Sequence, residues 1–262
     1  MKPSRMHSPI RLLSRAALAA ATLAAPAAIA QDAPKDERAQ TQCVILLHGL
    51  TRSPASMRKL ESVLTDRGYA VVNQGYDSRA AGIEDLSGPT IDEALSKCTD
   101  ENMTVHVVAH SLGGILVRHY LAQKPIERLG RVVMLGPPNQ GSEVTDKISD
   151  LPGYGWLNGP AGHQLGTDEG SVPASLGPAD FDLGIIAGDR SINLILSGMI
   201  PNSDDGKVSV ERTKLEGMND HITLPVSHPF LMRNESAISQ VLHYLEHGRF
   251  DRKNGESVQS EL

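Results

Sequence analysis

Aromatic residues are scarce in this chain: one Trp, three Phe and five Tyr, or 3% of 262 residues. A ring platform for stacking sugars therefore has little to be built from. Cysteine is scarcer still, with only Cys43 and Cys98. No His or Cys lies near either with the spacing of a zinc site, which argues against a metal centre. The sequence has no internal repeat and no block of like charge, and beyond residue 30 it has no long hydrophobic run. A membrane span needs about 20 apolar residues in succession, so none is expected in that part of the chain.

The one apolar run comes first. Lys2, Arg5, Arg11 and Arg15 precede "AALAAATLAAPAAIA", which ends in Ala28-Ile29-Ala30. A basic start, a short apolar stretch and small residues at its end make a secretory signal peptide over 1–30, cleaved after Ala30. Its length and Pro26 argue against a membrane anchor. Removal leaves 232 residues, the size of one domain. It also leaves 21 basic against 31 acidic side chains, a formal charge of −10 that disfavours nucleic acid and anionic membranes as partners. Residues 31–41, "QDAPKDERAQT", read as a disordered polar lead-in, and 251–262 as a polar tail. Export places the protein in the periplasm or outside the cell, where two cysteines are expected to form a disulfide.

Between these ends, β-branched runs alternate with helical patterns. Strands are predicted at 43–49, 69–74, 104–110, 131–136, 183–188 and 221–227, and helices at 54–68, 89–98, 112–124 and 236–248. This alternation predicts an α/β fold with a mostly parallel central sheet and helices on both faces. In such a sheet, chemistry gathers at the carboxyl ends of the strands.

Ser111 stands at such an end, in "VVAHSLGG" (107–114), where a buried strand turns directly into a helix. A sharp turn there lifts the hydroxyl above the sheet edge, and bulky neighbours would obstruct it. Ala109 and Gly113 flank Ser111 at two residues either side, and Gly114 lets the helix approach the sheet. The pattern is the nucleophile elbow, GxSxG, with alanine at its first glycine. The plainer reading is a serine N-cap on an ordinary helix.

With "LLHGL" (46–50), "AHSLGG" (109–114), "LGPPNQGS" (135–142), "DDGKVSV" (204–210) and "PVSHPF" (225–230), the sequence resembles the α/β-hydrolase superfamily and, within it, the compact secreted lipases and esterases. The resemblance spans roughly 43–250 and implies a hydrolase domain over 42–250. It implies Ser111 as nucleophile, activated by a histidine base. His228, leaving the last strand at its carboxyl end, is the expected base. His221 begins that strand, His48 lies in the turn after the first, His106 is within a strand, His119 is on a helix and His163 is in a loop. His243 and His247 share a helical face with no third ligand in sight. Asp205 in "DDGKVSV" keeps the order Ser, Asp, His and is the expected acid, with Asp204 and Asp189 as competitors. Without the resemblance, Asp205-Gly206 is simply a good turn.

By motif position the resemblance assigns the backbone amides of Leu50 and Leu112 to an oxyanion hole. It sets Cys43 and Cys98 ahead of neighbouring strands, at one end of the sheet. The implied activity is hydrolysis of a small-molecule or lipid ester through an acyl-enzyme, without cofactor. The same triad would also serve an acyltransferase or thioesterase, and the scaffold alone could serve as a binding protein. Calcium near Asp204, Asp205 and Asp220 follows only by family analogy, with no coordination loop to support it. Residues 151–182 are rich in Gly and Pro and read as a long loop carrying Trp156, a minimal lid too short and polar for a large amphipathic cover.

Overall fold

Alternation of side chains across the pleat decides how the strands are covered. In β1 (Gln42–Leu47), Val44 and Leu46 face one side of the sheet while Cys43, Ile45 and Leu47 face the other, all fully buried. A strand apolar on both faces must lie inside a sheet that is covered on both faces. β2 (Ala70–Gln74), β3 (Thr104–His110), β4 (Leu129–Leu135), β5 (Leu183–Gly188) and β6 (Asp220–Leu224) complete a six-stranded sheet in the order β2-β1-β3-β4-β5-β6, with every pairing parallel. The structure is a computed structural model that describes Met1 and residues 41–100, 102–192, 198, 200 and 203–252. The chain divides into two units, residues 1–32 and 33–262, and the sheet belongs to the second. The expected signal peptide, the lead-in up to residue 40 and the tail from 253 lie outside the described residues.

On one face, α1 (Arg58–Asp66) and the C-terminal helix Glu235–His247 bury Leu60, Leu64, Val241, Tyr244 and Leu245 against Val44, Val108, Val133 and Ile186. On the other, α2 (Ile83–Lys97) and α3 (Leu112–Gln123) contribute Ile91, Ala94, Val117 and Tyr120 to a layer over Ile45, Val107, Met134 and Ile185. The connection from β1 runs to β2 on one side, and the connection from β3 runs to β4 on the other. The crevice above the carboxyl ends of β1 and β3 is thus the topological switch point, where open parallel sheets bind ligands.

Two elements differ from the sequence expectation. The second helix starts at Ile83 and carries Pro89 inside it, instead of beginning at residue 89. Proline favours the first turn of a helix, but buried Ile83, acidic Glu84 and Asp85 in the first turn, and a bond from the Ile83 amide to Gln164 Oε1 (2.7 Å) establish an earlier start. The stretch 151–182 is not one loop. α4 (Glu143–Ile148) leads into it, and it holds α5 (Tyr154–His163), broken at Gly159, and a helical turn Val172–Ser175. Its Gly and Pro leave no helical period to read. Packing of Ala161 and Leu165 on Ile83, Leu112, Ile115 and Leu116 orders it instead. Among the described residues no helix is long and apolar enough to cross a membrane.

Cys43 and Cys98 form a disulfide with Cα atoms 5.9 Å apart, at the amino end of the sheet and away from Ser111. Closing a separation of 55 residues stabilises the fold by about 4 kcal/mol on the chain-entropy argument. Urea unfolding of oxidised and reduced protein should differ by about that amount, and the native reduced protein should retain its site chemistry. Nearby, β4 slips register against β3 between Val105 and Val107, and His106 Nδ1 accepts the Arg131 amide (2.8 Å) at the slip. Burial, then the Arg131 charge, pushes the His106 pKa down to about 4 from 6.5. The unfolded chain therefore binds the extra proton between these values, so this contribution is complete above pH 6.5 and is lost as pH falls toward about 4. At pH 5 the loss is about 2 kcal/mol. His106→Asn, whose Oδ1 can take the same amide, should flatten the fall in urea-unfolding free energy between pH 7 and pH 5 by about that much.

Candidate active site

β3 ends at His110, and the next residue turns the chain into α3 with φ 53° and ψ −121°. Thr51 is the only other non-glycine residue among those described to hold a positive φ. Such backbone costs about 1–3 kcal/mol and persists only where the surroundings over-determine it. Here the Ser111 amide donates to Leu135 O (2.9 Å) and the Gly114 amide donates to Ser111 O (2.9 Å), which pins both sides of the turn. A Cβ at Gly113 would lie 2.9 Å from the carbonyl oxygens of Leu47 and His48, so only glycine lets the new helix press against the end of β1. Ala109, at the first glycine position of the elbow pattern, points its methyl into the apolar layer and is fully buried without obstructing the turn.

His228 follows β6 and opens a 3₁₀ turn over His228–Arg233. Its Nε2 lies 3.0 Å from Ser111 Oγ, and its Nδ1 lies 2.7 Å from Asp205 Oδ2. The tautomer that fits carries its proton on Nδ1 toward the carboxylate and leaves Nε2 to accept from the serine hydroxyl. Asp205 is fully buried. Its other oxygen, Oδ1, accepts the amides of Lys207 (3.0 Å) and Val208 (2.9 Å), while its carbonyl accepts the His228 amide (2.9 Å). One short turn thus satisfies the carboxylate and fixes the histidine backbone beside it.

Neither competing acid faces His228. Asp204 Oδ1 accepts the Gly206 amide (2.7 Å), and Asp189 lies 3.7 Å from Arg190 Nε. Asp220 is at the opposite end of the sheet, where it accepts the Phe250 amide and pairs with Arg252, so Asp204, Asp205 and Asp220 do not converge on a calcium site. Among the described residues no group of three or more His, Cys, Asp or Glu could hold a metal ion.

The remaining histidines have other settings. His221 Nε2 lies 3.0 Å from Thr213 Oγ1, and His119 Nδ1 lies 2.6 Å from Ser87 Oγ. His243 and His247 lie side by side on the last helix with ring centres 4.4 Å apart and planes tilted by 58°. His163 ends α5 instead of lying in a loop. His110, which precedes the serine, is a site residue that sequence reasoning missed. It is buried, its Nε2 donates to His228 O (3.1 Å), and burial, then the His228 charge, holds its pKa well below the ordinary value. A neutral ring with the proton on Nε2 therefore braces the His228 backbone. Its position next to Ser111 in the motif was the available signal.

Residues 48–52 form a rigid turn above β1. His48 stacks on Tyr76 with ring centres 4.2 Å apart, Tyr76 Oη donates to His48 O (2.6 Å), and the Thr51 amide donates to Ser78 Oγ (2.9 Å). Gly49 brings this turn against the elbow, since a Cβ there would come within 3.0 Å of Ser111 Cβ. Among the described residues, the Leu50 and Leu112 amides donate to no protein acceptor. For Leu112 that is ordinary at the first position of a helix, whereas for Leu50 it is a consequence of the turn.

Two cavities open beside Ser111, of about 220 Å³ and about 180 Å³. Leu50, Ser111 and Lys207 line both.

No protein-family model and no curated protein matches the chain. Solved structures do match by shape. A lipase from Bacillus licheniformis, BlEst2 in its mature form, is similar with a TM-score of 0.60 and 17% identity, over 81% of this chain and 94% of that one. Phospholipase PlaB from Legionella pneumophila is similar with a TM-score of 0.61 and 14% identity, over 80% of this chain and 60% of that one. An extracellular α/β-hydrolase from a Paenibacillus species gives a TM-score of 0.50 and 16% identity, over 78% and 98%. With its parallel sheet in the order 2-1-3-4-5-6 and the strained turn from β3 into α3, this chain has the α/β-hydrolase fold.

Proposed function

We propose that the protein is an exported serine hydrolase that cleaves carboxylic esters through an acyl-enzyme, with Ser111 as nucleophile, His228 as base and Asp205 as its orienting acid. The observation that carries this reading is the chain of contacts from Ser111 Oγ to His228 Nε2 and from His228 Nδ1 to Asp205 Oδ2, at 3.0 and 2.7 Å. A serine hydroxyl is a weak nucleophile until a neighbouring base takes its proton, and the base must be held in the right tautomer. A lipase, a phospholipase and an α/β-hydrolase among the structural neighbours agree with this chemistry. The disulfide agrees with an oxidising compartment.

In the proposed reaction, Ser111 Oγ attacks the acyl carbon as His228 Nε2 takes the hydroxyl proton. The carbonyl oxygen becomes an oxyanion that accepts from the Leu50 and Leu112 amides, each worth about 3 kcal/mol of transition-state stabilisation. As the tetrahedral species collapses, the bond from the acyl carbon to the alcohol oxygen breaks, and His228 gives its proton to the departing alkoxide. Water then attacks the acyl-Ser111 ester with His228 again as base, releasing a carboxylic acid and free serine. Asp205 stays ionised throughout and stabilises the imidazolium.

A fluorophosphonate probe should label the folded protein at Ser111, as read by peptide mass spectrometry, and Ser111→Ala should abolish labelling. Folded protein that stays unlabelled and inert toward p-nitrophenyl esters overturns the reading. Asp205→Asn leaves the shape of the site but allows the wrong tautomer of His228. It should lower kcat by about 10⁴-fold, with circular dichroism unchanged.

A further inference from the structure

The two cavities at Ser111 differ in chemistry. The first is walled by Val144, Ile148, Leu157 and Leu165, with the uncharged polar side chains of Thr145 and Asn158 among them. The second is lined by Arg52, His110, Asp205 and His228. Of the two, only the second has His228 in its wall, and that decides direction. On the ester-hydrolase reading, His228 hands a proton to the departing alkoxide, so the alcohol oxygen must come within hydrogen-bond reach of Nε2. The alcohol therefore leaves through the second cavity, and the acyl chain occupies the first. At about 220 Å³ that cavity is below the usual range for drug-sized ligands, about 300–1,000 Å³, which fits a short or medium acyl chain.

The alcohol cavity carries two cations, Arg52 and Lys207, both exposed at its rim. Among the described residues neither side chain has an ion-pair or hydrogen-bond partner. The only carboxylate in the wall among the described residues is Asp205, already committed to His228 and two amides. Among the described residues, two like charges thus face one small space without a counter-ion, in a domain whose overall balance is acidic. Although Lys207 reaches solvent, its pKa is lowered by desolvation first and by the Arg52 charge second, against the opposing pull of Asp205. Such a cleft concentrates anions and steers them inward.

We propose that the substrate is an ester whose leaving alcohol carries an anionic group, a phosphate or a carboxylate, held by Arg52 and Lys207. The Arg52 guanidinium offers paired donors that match either oxyanion, and Lys207 adds a point charge. The inference rests on the ester-hydrolase reading but goes beyond it, because a neutral alcohol would serve the triad equally well.

The test compares matched butyrate esters, butyryl glycerol phosphate against butyryl glycerol, in wild type, Arg52→Ala, Lys207→Ala and the double variant. Wild type should favour the anionic ester in kcat/KM by about 10-fold or more, and the double variant should bring that ratio close to 1. The ratio cancels any general damage to the site. Arg52→Lys should restore part of it, and added salt should reduce it. A parallel arm uses vesicles of phosphatidylglycerol and of phosphatidylcholine. Preference for the anionic substrate in solution assigns a free anionic alcohol, and preference on vesicles alone assigns an anionic lipid headgroup. If the neutral ester is turned over through Ser111 but anionic esters gain nothing in either arm, or the gain survives the double variant, this inference fails while the hydrolase reading stands. If no ester is hydrolysed, the hydrolase reading itself fails.

Discussion

The left-handed backbone at Ser111 is the constraint on which the rest of the site depends. A serine does not adopt φ 53° on its own account, and here it is held between an amide bond to Leu135, the first turn of α3 and the end of β1. Leu135 and the end of β1 are themselves fixed by parallel ladders, since β1 and β4 are the two neighbours of β3. Strain at one residue is therefore supported by three strands. What that achieves is an oxygen raised above the sheet edge and reachable from the crevice at the switch point.

The proposed base and acid are positioned by a different device. Asp205 and His228 sit in connections rather than in strands, yet three backbone amides bind Asp205: two on its carboxylate and one on its carbonyl. The acid therefore organises its own loop, and the His228 backbone is one of its ligands. His110 holds His228 from the other side. A pair carried on connections is thereby tied to the sheet beside it, and the imidazole has one tautomer that satisfies both neighbours.

Charge is distributed against the average of the chain. A domain rich in acidic residues presents Arg52 and Lys207 around the serine, while His48, His106, His110 and His221 are kept neutral by burial. Positive charge at the mouth thus comes from arginine and lysine rather than from histidine. Among the described residues, the arm beside it, walled by Val144, Ile148, Leu157 and Leu165, has no charge except Lys207 at the junction. One crevice joins two environments, and the serine stands where they meet.

Much of this was legible in the residue order. Strand alternation in "CVILL" and "TVHVVAH" announced burial on both faces, because the pleat has a period of two and the apolar residues fill both phases. The strand, Ser111 and Gly113 announced the elbow, since few residue types tolerate that turn, and His228 was legible as the histidine leaving the last strand at the correct end. The choice of Asp205 over Asp204 was not legible in residue types, which are identical. It was decided by a turn that aims one carboxylate at His228 and the other at the Gly206 amide. The helices between 143 and 175 have no readable period because packing on α3, rather than propensity, orders them. Residue order alone therefore set the sheet, the elbow and the candidate serine and histidine, through local patterns of burial and turn chemistry. Folding in three dimensions set Asp205 rather than Asp204 against His228 and divided the cavities. It also brought Arg52 and Lys207, 155 residues apart in the chain, to line one cavity, because contacts across such distances depend on strand register and loop path.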